Sequence, residues 1–187
     1  MRGQGSNSKV SLGNPAPFSS LLLAREMRAE RQRRLLEQYR LPILCLSIIS
    51  PGWTKNSDLF KKVFYVAISE IDATFNRGIS HIISRNITYS VSGPEAQYVI
   101  QSGHATDVKM AAIALEDNHP LGRLWDLDVL TPGMAVVSRE TFGLPPRRCL
   151  VCSEEAQICG RNRTHSLDCL NTKIKQIVDL FDCESAR

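Results

Sequence analysis

Two aspartates alternate with apolar residues in the segment Trp125-Asp126-Leu127-Asp128-Val129. On a β-strand, Trp125, Leu127 and Val129 would face the core, and both aspartates would share the opposite face. The aspartate Cα atoms would then lie about 7 Å apart. Two charges at that distance repel by about 2.4 kcal/mol at an effective dielectric constant of about 20. The pattern therefore predicts either a solvated outer face or a cleft in which both carboxylates bind Mg²⁺.

Acidic, imidazole and guanidinium side chains crowd the stretch before this pair, at Glu116, Asp117, His119 and Arg123. Guanidinium groups bind phosphate oxygens, whereas carboxylate and imidazole groups accept protons. This mixture suits phosphate chemistry and favours the Mg²⁺ interpretation of the aspartate pair.

A second group of reactive side chains follows in the pattern Cys149-x2-Cys152-x6-Cys159-x5-His165. Three thiolates and an imidazole are the number of ligands that a closed tetrahedral zinc site requires. The spacing predicts a structural Zn²⁺ site, with Cys169 as an alternative to His165 for the fourth ligand. Reduced cysteines without metal, and a redox or catalytic thiol, are the other interpretations.

Four arginines surround these cysteines, at Arg147, Arg148, Arg161 and Arg163. If the cysteine knuckle folds the segment back on itself, their guanidinium groups converge and hold several phosphates. The alternative is a set of unrelated surface arginines.

The remaining sequence predicts helices near 19–39, 57–75, 106–118 and 167–181, and strands near 42–50, 81–91, 123–130 and 134–138. Residues 1–17 are rich in glycine, serine, asparagine and proline, which is typical of a flexible leader. The fold class is therefore α+β. We expect one mixed domain over residues 18–187, with a small central sheet flanked by helices and a cysteine-rich knuckle before the C-terminal helix. The first helix is arginine-rich and is either a solvated surface helix or a docking face for an acidic partner.

Composition limits the classes of partner. Of the 187 residues, 43% are hydrophobic and 22% charged, as in soluble globular proteins. The formal net charge of +4 favours an anionic ligand but does not require nucleic acid. We find neither an apolar run of about 18 residues nor a secretory signal, and so predict a cytoplasmic protein without a membrane partner.

Two long strings carry a resemblance to a known family: LEDNHPLGRLWDLDV (115–129) and LPPRRCLVC (144–152). They resemble the signature of citrate lyase holo-acyl-carrier-protein synthase, the CitX family, also called apo-citrate lyase phosphoribosyl-dephospho-CoA transferase. Looser likenesses occur at 21–34, 50–52, 55–57 and 92–95. The resemblance covers residue 18 to the C-terminal helix, and Cys169 is an extra cysteine.

The resemblance implies a nucleotidyltransferase-type enzyme of prosthetic-group biosynthesis. Its donor is 2′-(5″-triphosphoribosyl)-3′-dephospho-CoA. A serine of the citrate lyase γ subunit, the acyl carrier protein, attacks the phosphorus nearest the ribose, and diphosphate leaves. Mg²⁺ is then assigned to Asp126 and Asp128, donor phosphate to Arg123, and the serine proton to Glu116 or His119. Further donors to phosphate, or to an acidic carrier-protein surface, are Arg147, Arg148, Arg161 and Arg163.

Two other functions fit parts of the sequence. A zinc-stapled nucleic-acid- or protein-binding module would use the basic first helix and the cysteine knuckle. The modest charge, the aromatic content of 6% and the acidic stretch argue against it. A nucleotidyltransferase that uses an ordinary nucleoside triphosphate is the second alternative.

Overall fold

The computed structural model describes residues 18–52, 56–76 and 80–185. Its helices are α1 (Phe18–Tyr39), α2 (Asp58–Phe75), α3 (Ala105–Asn118), α4 (Ala156–Asn162) and α5 (Leu167–Ser185). Its strands are β1 (Ile43–Ile48), β2 (His81–Ser90), β3 (Gly93–Gln101), β4 (Trp125–Leu130) and β5 (Val136–Val137). The predicted leader, 1–17, lies outside the described residues, and its flexibility stays a prediction.

The strands form one sheet in the order β2-β3-β1-β4-β5, and each neighbouring pair is antiparallel. Helices flank this sheet, and the cysteine-rich segment precedes α5. The predicted α+β class is therefore confirmed. Among the described helices, we find none that is long and apolar enough to cross a membrane.

One face of the sheet forms the main core with α2, α3 and α5. The helical spacing predicted for α2 is confirmed, because Phe64, Ala67 and Ile71 along it are fully buried. Burying one large apolar side chain contributes about 1.5–3 kcal/mol. Ser57 caps the helix through its Oγ, which accepts the Phe60 N–H at 3.5 Å.

Helix α1 covers the opposite face of the sheet. Near its C-terminus, Leu35 and Leu36 pack against Ile43, Val99 and Leu130. Nearer its N-terminus, α1 lies over a polar part of the same face, where Arg28 and Arg31 form ion pairs with Glu95 of β3. The description of α1 as a solvated surface helix is therefore incomplete, because one side of it is packed.

Four sequence-based assignments need correction. Strand β3, between β2 and β1 in the sheet, was not predicted, and neither was α4. The strand predicted from Arg123 begins only at Trp125, because Gly122–Leu124 form a short 3-10 turn. The strand predicted over 134–138 is reduced to Val136–Val137.

The 3-10 turn packs tightly on the end of α3. A Cβ atom on Gly122 would lie only 2.5 Å from the carbonyl oxygens of Leu115 and Glu116. Only glycine fits this approach without a backbone shift. The turn thereby fixes the position of β4 relative to the end of α3.

Candidate active site

Asp126 and Asp128 share one face of β4, as predicted, while Trp125, Leu127 and Val129 are buried on the other face. In the register of the sheet, Asp126 lies opposite Ser47 of β1, and Asp128 lies opposite Cys45. Ser47 Oγ donates a long hydrogen bond to Asp126 Oδ2 at 3.4 Å.

A cavity of about 1190 Å³ borders both aspartates. Its wall combines cationic residues with an apolar surface. The cationic residues are Lys109, Arg123, Arg139, Arg147, Arg148 and Arg163. The apolar surface includes Ile49, Pro51, Leu150, Leu167 and Leu170. Such a lining suits a ligand that has both phosphate groups and an uncharged arm.

A second, smaller space of about 30 Å³ lies beneath α1 and is also bordered by Asp126 and Asp128. Gln97 of β3 borders it with a side chain that is only 4% exposed. Neither its Oε1 nor its Nε2 has a hydrogen-bond partner among the described residues. Because an unpaired buried amide is costly, this space is suited to a water molecule or a cation.

The environment of Asp126 favours an added positive charge. Burial raises the pKa of Asp126, and the charge of Asp128 raises it further. Arg147 and Lys109 oppose this rise, and the Arg147 Nη1 atom lies 3.8 Å from Asp126 Oδ1. A divalent cation between the two carboxylates would relieve their repulsion.

Glu116 of α3 is buried and holds β4 in place. Its Oε1 accepts the Leu127 N–H at 2.9 Å and lies 3.3 Å from Arg147 Nη1. Its Oε2 accepts a hydrogen bond from Arg139 Nη2 at 2.8 Å. On the same helix, Lys109 Nζ donates to the Leu127 carbonyl at 2.7 Å. Both backbone polar groups of the residue between the aspartates are thus held by α3 side chains.

Arg147 and Arg123 bind backbone carbonyls around the site. Arg147 donates to the Trp125 carbonyl at 2.7 Å and to the Arg123 carbonyl at 3.1 Å. Arg123 in turn donates to the carbonyls of Arg148 and Cys149. Burial lowers the pKa of Arg123, and the nearby charge of Arg147 lowers it further. These contacts join the cysteine segment to the start of β4.

The other two predicted donors that border the cavity are Arg148 and Arg163, both exposed. Within residues 18–52, 56–76 and 80–185, neither guanidinium forms an ion pair, so both are free to bind an anion. Arg161 is also exposed but lies outside the residues that line the cavity. The convergence predicted from the sequence therefore includes Arg147, Arg148 and Arg163 but not Arg161.

His119 lies on the core side of β4. Its ring stacks on that of Trp125, with centroids 4.4 Å apart, and its Nδ1 accepts the Leu121 N–H at 3.0 Å. Burial lowers the pKa of His119. Its position opposite the aspartate face separates it from the cavity that they border.

The predicted zinc ligands converge beside the cavity. The ligand atoms of Cys149, Cys152, Cys159 and His165 all lie within 4.8 Å of one another. Burial raises the pKa of Cys149, but N–H groups of Val151 and Cys152 outweigh it, and the pKa is lowered to about 7. Burial and the two neighbouring thiols raise the pKa of Cys159 to about 11. The alternative ligand, Cys169, is exposed on α5 and is not one of the four converging residues.

Several polar residues of the site were not identified from the sequence: Arg28, Glu95, Gln97, Lys109 and Arg139. Glu95 accepts two hydrogen bonds of 2.8 Å from Arg28 and one of 2.9 Å from Ser92 Oγ. One sequence pattern could have identified two of these residues. Glu95 and Gln97 occupy alternate positions of an otherwise apolar run, as Asp126 and Asp128 do.

Comparison with known proteins identifies the family. The CitX family model, described as apo-citrate lyase phosphoribosyl-dephospho-CoA transferase, matches residues 17–181. The chain belongs to the CitX family. The resemblance inferred from the sequence is thereby confirmed, and CitX membership makes the chain a transferase rather than a binding module.

Curated CitX relatives agree with this assignment. A protein of Escherichia coli O7:K1 (strain IAI39 / ExPEC) is 37% identical over 162 residues, which cover 87% of this chain and 88% of the relative. A protein of Shigella flexneri serotype 5b (strain 8401) is 36% identical over the same shares of both chains. Both relatives bear the name apo-citrate lyase phosphoribosyl-dephospho-CoA transferase.

Proposed function

We propose that this enzyme transfers phosphoribosyl-dephospho-CoA from 2′-(5″-triphosphoribosyl)-3′-dephospho-CoA to a serine of the citrate lyase acyl carrier protein, the γ subunit. The observation that carries the proposal is the aspartate pair beside a cation-lined cavity in a chain of the CitX family. The names of the curated relatives specify the transferred group and apo-citrate lyase as the acceptor.

The cavity suits a long donor with one polyanionic end. Its volume of about 1190 Å³ exceeds the range of about 300–1,000 Å³ that is usual for small-molecule sites. Arg148 and Arg163 are available to the triphosphate, and the apolar wall formed by Ile49, Leu150 and Leu167 suits the pantetheine arm.

The aspartates and their surroundings fit a Mg²⁺ ion. Asp126 and Asp128 supply two carboxylates on one face, and the unpaired amide of Gln97 offers a further oxygen in the adjoining space. Mg²⁺ bound there would neutralise charge on the phosphate oxygens of the donor. The two carboxylates would fix its position relative to the arginines of the cavity wall.

The proposed reaction exchanges one phosphorus–oxygen bond for another. The serine oxygen bonds to the phosphorus nearest the ribose, and the bond from that phosphorus to the diphosphate breaks. Diphosphate takes the bonding electron pair, and the serine proton passes to a base. Of the two predicted acceptors, His119 stacks on Trp125, and Glu116 borders the cavity with its oxygens held by the Leu127 N–H, Arg139 and Arg147. Glu116 would have to exchange one of these contacts for the serine hydroxyl, so the assignment of the base stays a prediction.

The direct test incubates the purified enzyme, Mg²⁺, the donor and apo-acyl carrier protein, followed by mass spectrometry of the carrier. We expect the carrier to gain the mass of one phosphoribosyl-dephospho-CoA group, with one equivalent of diphosphate released. A carrier with alanine in place of the acceptor serine should gain nothing. Transfer from ATP in place of the donor, or an unmodified wild-type carrier, would contradict the proposal.

A further inference from the structure

The cysteine cluster has the dimensions of a tetrahedral zinc site. Zn–S bonds of about 2.3 Å and Zn–N bonds of about 2.0–2.1 Å give tetrahedral edges of about 3.8 Å between sulfurs and about 3.6 Å between sulfur and nitrogen. In the structure, Cys152 Sγ lies 3.5 Å from Cys159 Sγ and 3.3 Å from His165 Nε2. All pairs of ligand atoms lie within 4.8 Å of one another, so tetrahedral geometry requires shifts of at most about 1 Å.

The surrounding segment lacks an apolar core of its own. From Cys149 to His165, Cys159 is the only buried residue, and Val151 and Ile158 are exposed. The segment is nevertheless ordered into a hairpin, in which the Cys149 N–H bonds to the Glu154 carbonyl at 2.7 Å, followed by a short helix. A segment with so little buried apolar surface needs another source of folding free energy.

A strained backbone position lies between the last two members of the cluster. Arg163 has a φ angle of 49°, in the left-handed region that few residues other than glycine adopt. This conformation ends α4 and turns the chain from Cys159 back to His165. Such backbone strain persists only where the surroundings impose it. Metal bonds to Cys159 and His165, on either side of Arg163, would impose this conformation.

We propose that Cys149, Cys152, Cys159 and His165 bind one structural Zn²⁺ ion. Four protein ligands fill a tetrahedral shell and leave no open position, so this ion takes no direct part in the transfer. Its role is to fold the segment that forms one wall of the cavity. Through that wall the zinc sets the positions of Arg148 and Arg163, the two exposed arginines that line the cavity.

Metal content of the full-length protein tests the site directly. We expect inductively coupled plasma mass spectrometry to find one zinc per chain after purification without added metal. Replacement by Co²⁺ should give the strong visible bands of tetrahedral cobalt and near-ultraviolet thiolate-to-cobalt bands in proportion to three thiolates. A folded protein that lacks zinc and does not bind Co²⁺ would overturn the proposal.

Matched cysteine variants identify the ligands. Cys152→Ala should reduce bound zinc at least tenfold, whereas Cys169→Ala and Cys183→Ala should retain one zinc per chain. His165→Ala should weaken zinc binding and leave a Co²⁺ spectrum with its three thiolate bands. Loss of zinc in Cys169→Ala with full retention in His165→Ala would overturn the assignment of His165.

Chelation separates the zinc site from the proposed transferase activity. Removing zinc from the wild-type protein should speed trypsin cleavage after Arg148, Arg161 and Arg163 at least tenfold, and adding zinc back should restore resistance. Unchanged cleavage after complete removal would overturn the structural role. None of these measurements requires turnover. They therefore test the zinc site independently of the proposed donor and acceptor.

Discussion

The Oε1 atom of Glu116 lies 2.9 Å from the backbone nitrogen of Leu127, so a buried carboxylate of α3 holds the residue between the two aspartates. This contact replaces a strand neighbour, because β5 pairs with β4 only at Val129 and Leu130. It makes the position of the aspartates depend on α3.

Glu116→Gln should destabilise the protein by about 1.5–3 kcal/mol, because Arg147 loses its buried carboxylate partner and Arg139 keeps only its pair with the exposed Asp117. Urea unfolding followed by circular dichroism measures this. Glu140→Gln is the matched control, since Glu140 forms no ion pair among the described residues. Equal stability of the two variants would show that Glu116 does not hold the network together.

Asp126→Asn and Asp128→Asn should each lower kcat/KM for transfer by about 10³-fold, equivalent to about 4 kcal/mol of transition-state stabilisation. Each should also raise the Mg²⁺ concentration needed for half-maximal rate, because a carboxylate ligand is lost. Asp179→Asn, on the exposed face of α5, should behave as wild type. Turnover close to that of wild type in either variant would remove that residue from the site.

Arg148→Ala and Arg163→Ala should raise the KM for the triphosphoribosyl donor about tenfold or more, because each removes a cation available to its phosphates. Arg161→Ala is the control on the same segment, since Arg161 lies outside the cavity. Initial rates at varied donor concentration give these values. An equal effect of all three substitutions would indicate general electrostatic attraction instead of a phosphate site.

Glu95 links α1 to the sheet in a pH-dependent way. Burial raises the pKa of Glu95, but the hydrogen bond and charge of Arg28 outweigh burial and hold that pKa below the ordinary value of a glutamate. A lowered pKa contributes stability above the unfolded value, and this contribution is lost as the pH falls through the folded value. Glu95→Gln should therefore be less stable than wild type by roughly 2 kcal/mol at pH 7, since Arg28 is partly exposed.

The difference between wild type and Glu95→Gln should shrink as the pH falls below the ordinary glutamate pKa of about 4.3. The unfolded chain takes up its proton first, and the difference is lost once the pH falls through the lower pKa of the folded state. Denaturant unfolding at several pH values measures it, and most other titrating groups cancel in the comparison. A difference that stays constant down to pH 3 would contradict the proposed role of the Arg28 pair.

The sequence was enough to place both aspartates on one face of a strand. A strand that buries Trp125, Leu127 and Val129 on one face must project the alternate residues from the other face. Strand β3 escaped prediction because Pro94, Glu95 and Gln97 interrupt its apolar pattern. Their burial depends on α1, which lies far away along the chain and contributes Arg28 as the partner of Glu95.

Long-range packing also determined which polar residues surround the aspartates. Spacing alone placed Glu116 and His119 near each other, but their side chains make different contacts: Glu116 accepts the Leu127 N–H, and His119 stacks on Trp125. Similarly, the local pattern of cysteines predicted their convergence, whereas the contact of Arg123 with the Arg148 and Cys149 carbonyls depends on how that segment docks.

The absence of a side chain at Gly122 is also required for correct alignment of the reacting groups. A methyl group there would have to displace the end of α3 from the following strand, because its carbon would lie 2.5 Å from two carbonyl oxygens. Both carboxylates would move with that strand, relative to the arginines across the cavity. Alignment of an attacking oxygen with a leaving group is sensitive to errors of about 1 Å, so a substitution that touches no ligand would misalign the reaction.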